Sequence, residues 1–395
     1  MHTLLLAIVG LMAATAVGWI AVIIFNIVKM RGVPRLEPES AALFPSDAPL
    51  VSILVPARNE ASRILEVAIR SIANQDYPNF EIIVVDDRST DDTYAILESI
   101  ASAVPRGRAI RGTKLPAGWA GKPWALEQAK RASTGTWILA TDADVIFEPA
   151  AVRAAMTVAF RRRLDAVTLL PDIGTGNFWT RIVMPVAAWM IAVVLPVDKT
   201  NDPSSPVALG CGGFFLIRRS VHDAIGGYLA IRDQVIDDVA TARALKAAGH
   251  AMRAEAGQNL LHTPMYETLG ELWNGFAKNA FAGSDHSLLI VARNAIANLL
   301  ATQLPTAIAI AGTALWFGAG LVQVRLLVVA ALAAYVAMVV AFIPVYAALG
   351  RRPYLAVFAG VANLVMVLIL LDSTFRALSG RTVDWRGQAV MLDRR

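Results

Sequence analysis

A long apolar run extends from Thr3 to Val28. A run of this length is enough for one helix to cross a bilayer. Basic residues follow it at Lys29, Arg31 and Arg35, and none precedes it. A secretory signal would have its charges before a shorter apolar stretch. We therefore interpret the run as an uncleaved anchor, with the N-terminus outside and the following domain in the cytoplasm. The alternative is a buried core helix.

Three further apolar stretches lie towards the other end, at about 290–318, 326–349 and 354–371. The second and third are long enough to span, whereas Arg293 and Pro305 favour a kinked or partly interfacial first stretch. If all three stretches cross the membrane and the body lies in the cytoplasm, the basic tail lies outside. That position conflicts with the positive-inside trend. One stretch is therefore expected to be re-entrant or interfacial, and the sequence leaves open which. The tail carries Arg376, Arg381, Arg386, Arg394 and Arg395.

The middle of the chain has a different character from its ends. Hydrophobic residues make up 56% of the chain and charged residues 17%, against about 25% charged in typical soluble domains. Residues 51–262 nevertheless have the pattern of an ordinary globular domain. The net charge of +5 comes from scattered basic residues, so anionic headgroups or a phosphorylated substrate fit it better than nucleic acid. Cys211, the single cysteine, excludes an intrachain disulfide and a thiolate zinc cluster.

Short apolar strands alternate with helical periodicity in this middle part. Strands are predicted at 51–56, 80–85 and 136–141, and helices at 60–73, from Ser89 to about Ser102, and at 122–132. This alternation predicts an α/β fold with a mostly parallel sheet and helices on both faces. Ligands bind at the carboxyl ends of the strands in such sheets.

Three polar clusters follow the predicted strands and therefore share that edge: 57–60, Asp86-Asp87 and Asp142-Ala143-Asp144. Each acidic cluster alone is typical of a helix cap or turn. Two of them closing neighbouring strands favour a functional site instead. Mg²⁺ or Mn²⁺ takes one or two carboxylates together with phosphate oxygens and water, so the pair around Ala143 indicates a divalent metal on a diphosphate.

The motifs 51–60, 85–92 and 141–144 resemble those of the family 2 glycosyltransferases, which have the GT-A fold. Further similar segments follow in order at 118–126, 210–213, 226–228 and 236–238. Within the family, Phe178-Trp179, Asn201-Asp202-Pro203 and Ala230-Ile231-Arg232 are similar to the hopene-associated glycosyltransferases. The resemblance covers roughly residues 1–290.

The resemblance implies a nucleotide-sugar site and a divalent metal, Mg²⁺ or Mn²⁺, held by Asp142 and Asp144. It places Asp86 and Asp87 on the nucleoside, beside the 56–60 loop. Lys122 is expected near the diphosphate or the base as a point charge; the alternative is a solvated lysine at a helix start. The residues predicted to bind the nucleotide sugar are Pro56, Ala57, Arg58, Glu60, Asp86, Asp87, Lys122, Asp142, Gly212 and Gly213.

The resemblance also implies a catalytic acid pair, Asp237 and Asp238, with Asp238 as the general base that takes the proton of the acceptor hydroxyl. Asp237 would raise the pKa of its neighbour if the two side chains lie close together. The alternative is a pair of N-cap residues for a helix at Val239–Ala248. His262 is either a third metal ligand or an ordinary loop histidine.

The Gln-x-x-Arg-Trp motif of many processive family members is absent from this chain. Trp273 and Lys278 stand in the corresponding stretch, which favours one sugar transfer onto a lipid over polymerisation. The apolar segment from Phe178 to Val197, which includes Trp179, is either an interfacial segment that meets the acceptor or a buried helix.

These observations predict an inverting glycosyltransferase that uses a nucleotide sugar, with UDP expected as the nucleotide. The expected acceptor is a lipid hydroxyl, of a hopanoid or another isoprenoid. The alternative is an enzyme of cell-envelope polysaccharide or polyprenyl-phosphate sugar synthesis. We expect a multi-pass protein of the inner membrane whose catalytic domain faces the cytoplasm. The predicted parts are an anchor (1–30), the glycosyltransferase domain (48–285), membrane helices (290–375) and a basic tail (376–395).

Overall fold

The computed structural model describes residues 2–31, 33–38, 44–45, 47–174, 176–316, 322–385 and 388–391. Arg386, Arg394 and Arg395 of the predicted tail lie outside these residues. The described part contains an α/β body and a set of long apolar helices.

A seven-stranded sheet forms the centre of the body. Its strands lie side by side in the order β3 (Gly107–Arg111), β2 (Phe80–Asp86), β1 (Val51–Ala57), β4 (Trp137–Ala140), β8 (Phe215–Arg218), β6 (Ala166–Leu170) and β9 (Met252–Ala256). Strand β8 runs antiparallel to β4 and β6, and the other neighbours are parallel. The predicted mostly parallel α/β sheet of the GT-A fold is therefore confirmed.

Strand β1 lies in the middle of this sheet and is buried on both faces. Ile53 and Val55 point to one hydrophobic cluster and Leu54 to another, and none of the three is exposed to solvent. This explains the continuous apolar run at 51–55, because a strand covered on both faces needs no polar alternation. The strand therefore emerges from the core only at its carboxyl end.

Helices cover both faces of the sheet and connect its strands. They are α2 (Leu65–Ala73), α3 (Thr93–Ser102), α4 (Gly121–Arg131), α5 (Ala151–Arg161), α7 (Val197–Thr200), α8 (Arg219–Ala224), α9 (Gly227–Ala230) and α10 (Asp237–Ala247). The helix predicted from Glu60 begins only at Leu65. The backbone N–H of Glu60 donates to Thr93 Oγ1 at 2.8 Å, which holds residue 60 in the loop after β1.

A second, three-stranded sheet lies beside the first. It consists of β5 (Ile146–Phe147), β10 (Leu261–Thr263) and β7 (Asp172–Ile173), with β10 in the centre. His262 of β10 pairs with Ile146 on one side and with Asp172 on the other. This small sheet brings His262 and Asp172 close to the turn that follows Asp144.

Among the described residues, five apolar helical segments are long enough to cross a membrane: Thr3–Val28, Phe178–Thr200, Leu288–Gly312, Val324–Ala348 and Pro353–Ser379. They belong to α1 (His2–Arg31), α6 (Phe178–Val194) with α7, α12 (Leu288–Asn298) with α13 (Leu304–Leu315), α14 (Val322–Ala348) and α15 (Ala359–Ser379). A π-helical segment, Leu299–Gln303, joins α12 to α13, and a 3-10 helix, Pro353–Phe358, precedes α15. Helix α11 (Leu269–Ala280) connects the body to this group, and a hairpin of β11 (Thr382–Trp385) and β12 (Gln388–Met391) follows α15.

Polar side chains bind the apolar helices to one another. Trp189 Nε1 of α6 donates to Asn26 Oδ1 of α1 at 2.8 Å, and Asn26 Nδ2 donates to the Ala341 carbonyl of α14 at 2.9 Å. Tyr346 of α14 donates to the Ile182 carbonyl of α6 at 2.6 Å. Because an apolar medium offers no competing water, these bonds fix how α1, α6 and α14 pack.

Candidate active site

The loops after β1 and β2 lie side by side at the carboxyl-terminal edge of the main sheet, where the predicted acidic clusters are. Ala57 and Asp86 lie opposite each other in the parallel ladder, and the Asp87 N–H donates to the Ala57 carbonyl at 2.7 Å. Asn59 and Arg88 both adopt left-handed backbone conformations, with φ of 51° and 59°. These tight turns keep the 56–60 loop directly beside the acid pair, as the sequence predicted.

Asp87 is buried, and two arginine side chains contact it. Arg88 binds its carboxylate with two bonds of 2.8 and 2.9 Å. Arg58 Nη1 lies 3.8 Å from Asp87 Oδ2 and donates to the Asp87 carbonyl at 3.0 Å. Asp86 accepts the Ser89 N–H at 3.3 Å. The two acids and two arginines form a polar wall at the end of β1 and β2, with donors and acceptors suited to a base, a ribose or a phosphate.

A second group of charges lies around the ammonium of Lys122, at the start of α4. Lys122 Nζ is 2.7 Å from Asp142 Oδ1 and 3.4 Å from Asp237 Oδ1. Burial acts to lower the pKa of Lys122, but the charges of Asp142, Asp237 and Asp238 outweigh it and hold the pKa well above its usual value. Lys122 is thus a permanent cation inside an acidic cluster, not a solvated lysine at a helix start.

Asp237 and Asp238 form the first turn of α10, and the residue that caps this helix is Ile236. The predicted cap role is therefore wrong, and so is the helix start at Val239. Asp238 Oδ1 accepts the Val239 N–H at 2.8 Å. Burial and the negative charge of Asp237 raise the pKa of Asp238 to about 6, against the opposing effect of Lys122. A carboxylate with this pKa is well suited to accept a proton near neutral pH.

Three glycines of the segment 210–213 lie directly next to this charged cluster. A Cβ on Gly212 would lie 2.7 Å from Lys122 Nζ and 3.0 Å from Asp142 Oδ2. A Cβ on Gly210 would clash with the Asp238 carbonyl oxygen. Gly213 is buried, and its carbonyl accepts the Thr141 hydroxyl at 2.8 Å. The motif at 210–213 therefore lets the chain pass close under the charged groups.

The donor set at Asp142 and Asp144 suits a hard divalent ion that also binds phosphate. Both residues lie in the turn between β4 and β5 and are half-buried. Within the described residues, no group of three or more His, Cys, Asp or Glu side chains could hold a metal by itself. Since Mg²⁺ typically binds through one or two carboxylates with substrate phosphates, these residues fit a metal that arrives with a diphosphate.

His262 belongs to a chain of contacts that sequence reasoning missed. Its Nδ1 lies 2.9 Å from Asp172 Oδ2, and Arg351 Nη2 lies 2.8 Å from Asp172 Oδ1. The bond to Asp172 orients the imidazole, as carboxylates do for metal-binding histidines. Only the pairing of β7 with β10 and the return of the chain after α14 reveal this arrangement. No local motif indicates it.

Two buried side chains behind the acid pair were also missed. His222 and Tyr228 stack with ring centroids 4.5 Å apart and line a small cavity beneath Lys122, Gly212, Asp237 and Asp238. Burial lowers the pKa of His222 to about 3, so it is neutral in the folded protein. The pair forms a rigid, uncharged support for the first turn of α10.

The predicted acceptor residues lie apart from the acidic cluster, on the helices that pack against the body. Trp179 is half-buried on α6 and packs edge-to-face on Phe178, with ring centroids 5.5 Å apart. Trp273 of α11 donates from Nε1 to Asp372 Oδ2 of α15 at 2.8 Å. Lys278 is half-buried near the end of the same helix. Helix α6 is buried on all sides at Ile182–Ala187, whereas its last turn is exposed at Ile191, Val193 and Val194.

Comparisons with known proteins agree with this architecture. A mannosyltransferase from Pyrobaculum calidifontis, solved in complex with GDP-Man and Mn²⁺, matches with a TM-score of 0.54 and 20% identity, covering 93% of this chain and 99% of that one. At this identity the likeness shows the fold alone.

Curated relatives match shorter parts of the chain. A beta-monoglucosyldiacylglycerol synthase from Nostoc sp. is 29% identical over 229 residues, which is 55% of this chain and 47% of that protein. A GalNAc(5)-diNAcBac-PP-undecaprenol beta-1,3-glucosyltransferase from Campylobacter jejuni is 46% identical over 52 residues, which is 13% of this chain and 16% of that protein. The chain spans about half the length of the Nostoc relative.

The sheet order and the acidic carboxyl edge define the body as a GT-A domain, the Rossmann-like architecture of glycosyltransferases. Residues 52–226 match the model of glycosyl transferase family 2. The chain thus carries a domain of that family, and the family predicted from the motifs is confirmed.

Proposed function

We propose that this protein is an inverting glycosyltransferase that moves a sugar from a nucleotide sugar, with UDP as the expected nucleotide, to a hydroxyl of a membrane lipid. One observation carries the proposal. The ammonium of Lys122 joins Asp142, a predicted diphosphate and metal residue, to Asp237, which adjoins the predicted base. Donor and acceptor chemistry thus meet at one point of the sheet edge.

In the proposed reaction the acceptor hydroxyl attacks the anomeric carbon from the face opposite the leaving group. Asp238 takes the hydroxyl proton as the new carbon–oxygen bond forms. The bond to the nucleoside diphosphate breaks, and its electron pair leaves with the phosphate oxygen. The raised pKa of Asp238, about 6, leaves it ionised at pH 7 and still able to take the proton. One displacement of this kind inverts the anomeric centre.

Asp142 and Asp144 would hold a divalent metal, Mg²⁺ or Mn²⁺, and His262 is the candidate for a third ligand. The bound metal would neutralise the charge that develops on the leaving diphosphate. Lys122 adds a positive charge next to the leaving diphosphate. The neighbouring glycines and buried side chains leave little water there, which strengthens the effect of that charge. The paired loops at 56–60 and 86–88 would bind the nucleoside.

The membrane is the proposed source of the acceptor. Five helical segments of the described residues are apolar and long enough to cross a membrane, and Trp179 of α6 and Trp273 of α11 pack against the hydrophobic cluster of the apolar helices. The Nostoc relative is named for a diacylglycerol product and the Campylobacter relative for an undecaprenol-linked one. The hopene-like motifs favour a hopanoid or another isoprenoid. A polyprenyl-linked carrier, as the second relative's name suggests, is the alternative.

We infer that the body lies in the cytoplasm and that the protein belongs to the inner membrane. Arg35, which follows the first apolar run, is consistent with that orientation under the positive-inside rule. Arg35 pairs with Ala256 of β9, so the chain passes from α1 directly onto the main sheet.

Transfer by the full-length protein in lipid nanodiscs tests the proposal. UDP-sugars, Mn²⁺ and lipid extract are supplied, and radiolabelled glycolipid is the readout. We expect transfer by the native protein and its loss in Asp238→Asn, with Asp47→Asn on the exposed surface as the matched control. Full activity in Asp238→Asn would exclude that residue as the base. Absence of transfer from every nucleotide sugar, in a protein that binds none of them, would overturn the proposed activity.

Lipid profiling identifies the acceptor. A strain that lacks this protein is compared by mass spectrometry with the same strain complemented by the native protein or by Asp238→Asn. A glycolipid that returns only with the native protein gives the sugar mass and the acceptor together. A missing polyprenyl-linked sugar, with all other glycolipids unchanged, would favour the alternative acceptor.

A further inference from the structure

The apolar segment Pro353–Ser379 has both of its ends at the catalytic body. At its start, Arg351 Nη2 binds Asp172 Oδ1 at 2.8 Å and also donates to the Ile173 carbonyl. Both of these partners lie in β7 of the body. The loop between α14 and α15 is therefore fixed on the body side of the apolar helices.

The other end returns to the same side. Asp372 of α15 accepts from Trp273 Nε1 at 2.8 Å, and the Phe281 N–H donates to Ser373 Oγ at 3.1 Å. Helix α11, which carries Trp273, is itself held to the body, because Glu271 Oε2 lies 3.3 Å from Arg63 Nη1. The end of α15 is thus only a few residues from a contact with the body.

The middle of the segment reaches deep among the apolar helices. Asn298 Nδ2 donates to Asn363 Oδ1 at 3.2 Å, and Gln303 Nε2 donates to the Gly360 carbonyl at 3.2 Å. Asn298 ends α12, which begins at Leu288, eight residues after α11 ends, so these contacts lie about 15 Å along that helix. This depth is about half of a hydrocarbon core of roughly 30 Å.

The length of α15 is enough for the helix to return from this depth to the body. Ten residues separate Asn363, beside Asn298, from Ser373, beside Phe281. An α-helix rises about 15 Å over that distance, which equals the length of α12 from its start to Asn298. Helix α15 therefore runs back along α12 towards the body instead of continuing across.

Polar side chains surround the start of α15 at this depth. Tyr335 of α14 donates to the Val357 carbonyl of the 3-10 helix at 2.9 Å, and Gln303 donates to the Gly360 carbonyl at 3.2 Å. Asn363 Nδ2 donates to the Ala359 carbonyl of its own helix at 2.8 Å. Since the hydrocarbon offers no polar partners, the bonds of Tyr335 and Gln303 hold the start of α15 against α14 and the π-helical segment Leu299–Gln303.

We propose that Pro353–Ser379 is a re-entrant hairpin that enters the apolar layer to about its midplane and returns, so that the tail lies on the catalytic side of the membrane. The segment Phe178–Thr200 does not cross either, since Asn177 donates to the Glu267 carbonyl and Asn201 to the Ala254 carbonyl at its two ends. Among the described apolar helices, α1, α12 with α13, and α14 are then the ones that cross. Arg376 and Arg381 fall on the same side as Arg35, which removes the conflict with the positive-inside trend.

Single-cysteine labelling tests the topology in membranes that contain the full chain. In a Cys211→Ser background, one cysteine is introduced at an exposed site: Ser99→Cys on the body, Val322→Cys at the far end of α14, or Ser379→Cys at the end of α15. A membrane-impermeant maleimide is applied to intact cells and to inverted vesicles. We expect Ser379→Cys to label with Ser99→Cys, at least tenfold more from that side than from the other, and Val322→Cys to label from the opposite side.

Labelling of Ser379→Cys together with Val322→Cys would overturn the proposal. If Ser379→Cys is labelled from neither side, a protease site appended after Arg395 gives the decision. Cleavage on the side of Ser99 supports the hairpin, and cleavage on the side of Val322 excludes it. The readout is independent of sugar transfer, so it stands or falls separately from the proposed function.

Discussion

The ammonium of Lys122 lies 2.7 Å from Oδ1 of Asp142, so the first turn of α4 is tied to the turn that follows β4. Asp237 lies on the other side of the same ammonium, at 3.4 Å. Asp238 also acts on the charge of this ammonium. The cluster therefore has three carboxylates around Lys122 and an excess of negative charge. That excess is suited to receive a divalent ion together with a diphosphate.

Replacement of Lys122 by Met is expected to lower kcat/KM by about 10² to 10³-fold, the usual effect of removing one preorganised charge or donor from a developing anion. Because the pKa of Lys122 is held well above its usual value, the native enzyme should show no loss of rate from this residue up to pH 9. Steady-state kinetics measure both effects. Lys114→Met, at an exposed position, is the matched control, and an equal loss in both variants would contradict a specific role.

The pH dependence of kcat/KM reports on Asp238. Its pKa of about 6, raised by burial and by Asp237, means that the carboxylate gains a proton as the pH falls through 6. A protonated carboxyl cannot accept the hydroxyl proton, so the rate should fall about tenfold per pH unit below 6.

Asp237→Asn separates the two causes of that pKa. Loss of the neighbouring negative charge should lower the pKa of Asp238 and move the acidic limb to lower pH. The profile is measured under the same metal and donor concentrations as for the native protein. An acidic limb that stays in place would show that Asp237 does not act on the pKa of Asp238.

Gly212→Ala is expected to slow transfer by moving the ammonium of Lys122. The new Cβ would lie 2.7 Å from Lys122 Nζ, so the flexible lysine side chain would shift away from Asp142. A shift of about 1 Å in a catalytic group costs about 10²-fold in rate. Gly283→Ala is the matched control, because no atom lies within 4 Å of a Cβ at that glycine. Retained activity in Gly212→Ala would show that the ammonium has room to move without loss of function.

The acidic edge was predictable from the sequence because strand periodicity and parallel connection together determine where strand ends meet. Asp86 and Asp142 each follow a buried strand, and the structure has both strands next to β1. The contact between Lys122 and Asp237 was not predictable in the same way. It joins the first turns of two helices that are more than a hundred residues apart in the chain, and only the folded structure reveals it.

The path of the apolar helices through the membrane could not be predicted from the sequence either. Hydropathy reports the length and composition of a segment but not whether its ends lie on one side or on two. Asn298, Gln303 and Asn363 looked like isolated polar residues within apolar runs. Two of their bonds join distant parts of the chain, from Asn298 to the Asn363 side chain and from Gln303 to the Gly360 carbonyl, so only the folded structure reveals them.

Cys211 is expected to be unreactive in the folded protein. Burial raises the pKa of its thiol to about 12, and the thiolate is the form that alkylates. Iodoacetamide at pH 8 should therefore modify it only after denaturation, as followed by intact-protein mass spectrometry. Since the side chain is half-buried, rapid modification of the native protein would show that the thiol ionises more readily than the raised pKa implies.

The bond between Trp273 and Asp372 is expected to affect the lipid acceptor more than the sugar donor. Trp273→Phe keeps the aromatic ring but removes the N–H that donates to Asp372 at 2.8 Å, which weakens the attachment of α11 to α15 at the start of α11. Loss of such a bond costs about 1 kcal/mol, or about fivefold in an equilibrium constant. We therefore expect the KM for the lipid to rise about fivefold while hydrolysis of the donor in the absence of lipid stays unchanged. Trp19→Phe removes a bond of the same length, to the Ala301 carbonyl, at a site away from α11, and should leave the KM for the lipid unchanged. An equal rise in both variants would mean that general loosening of the apolar helices, and not the position of α11, governs the use of the acceptor.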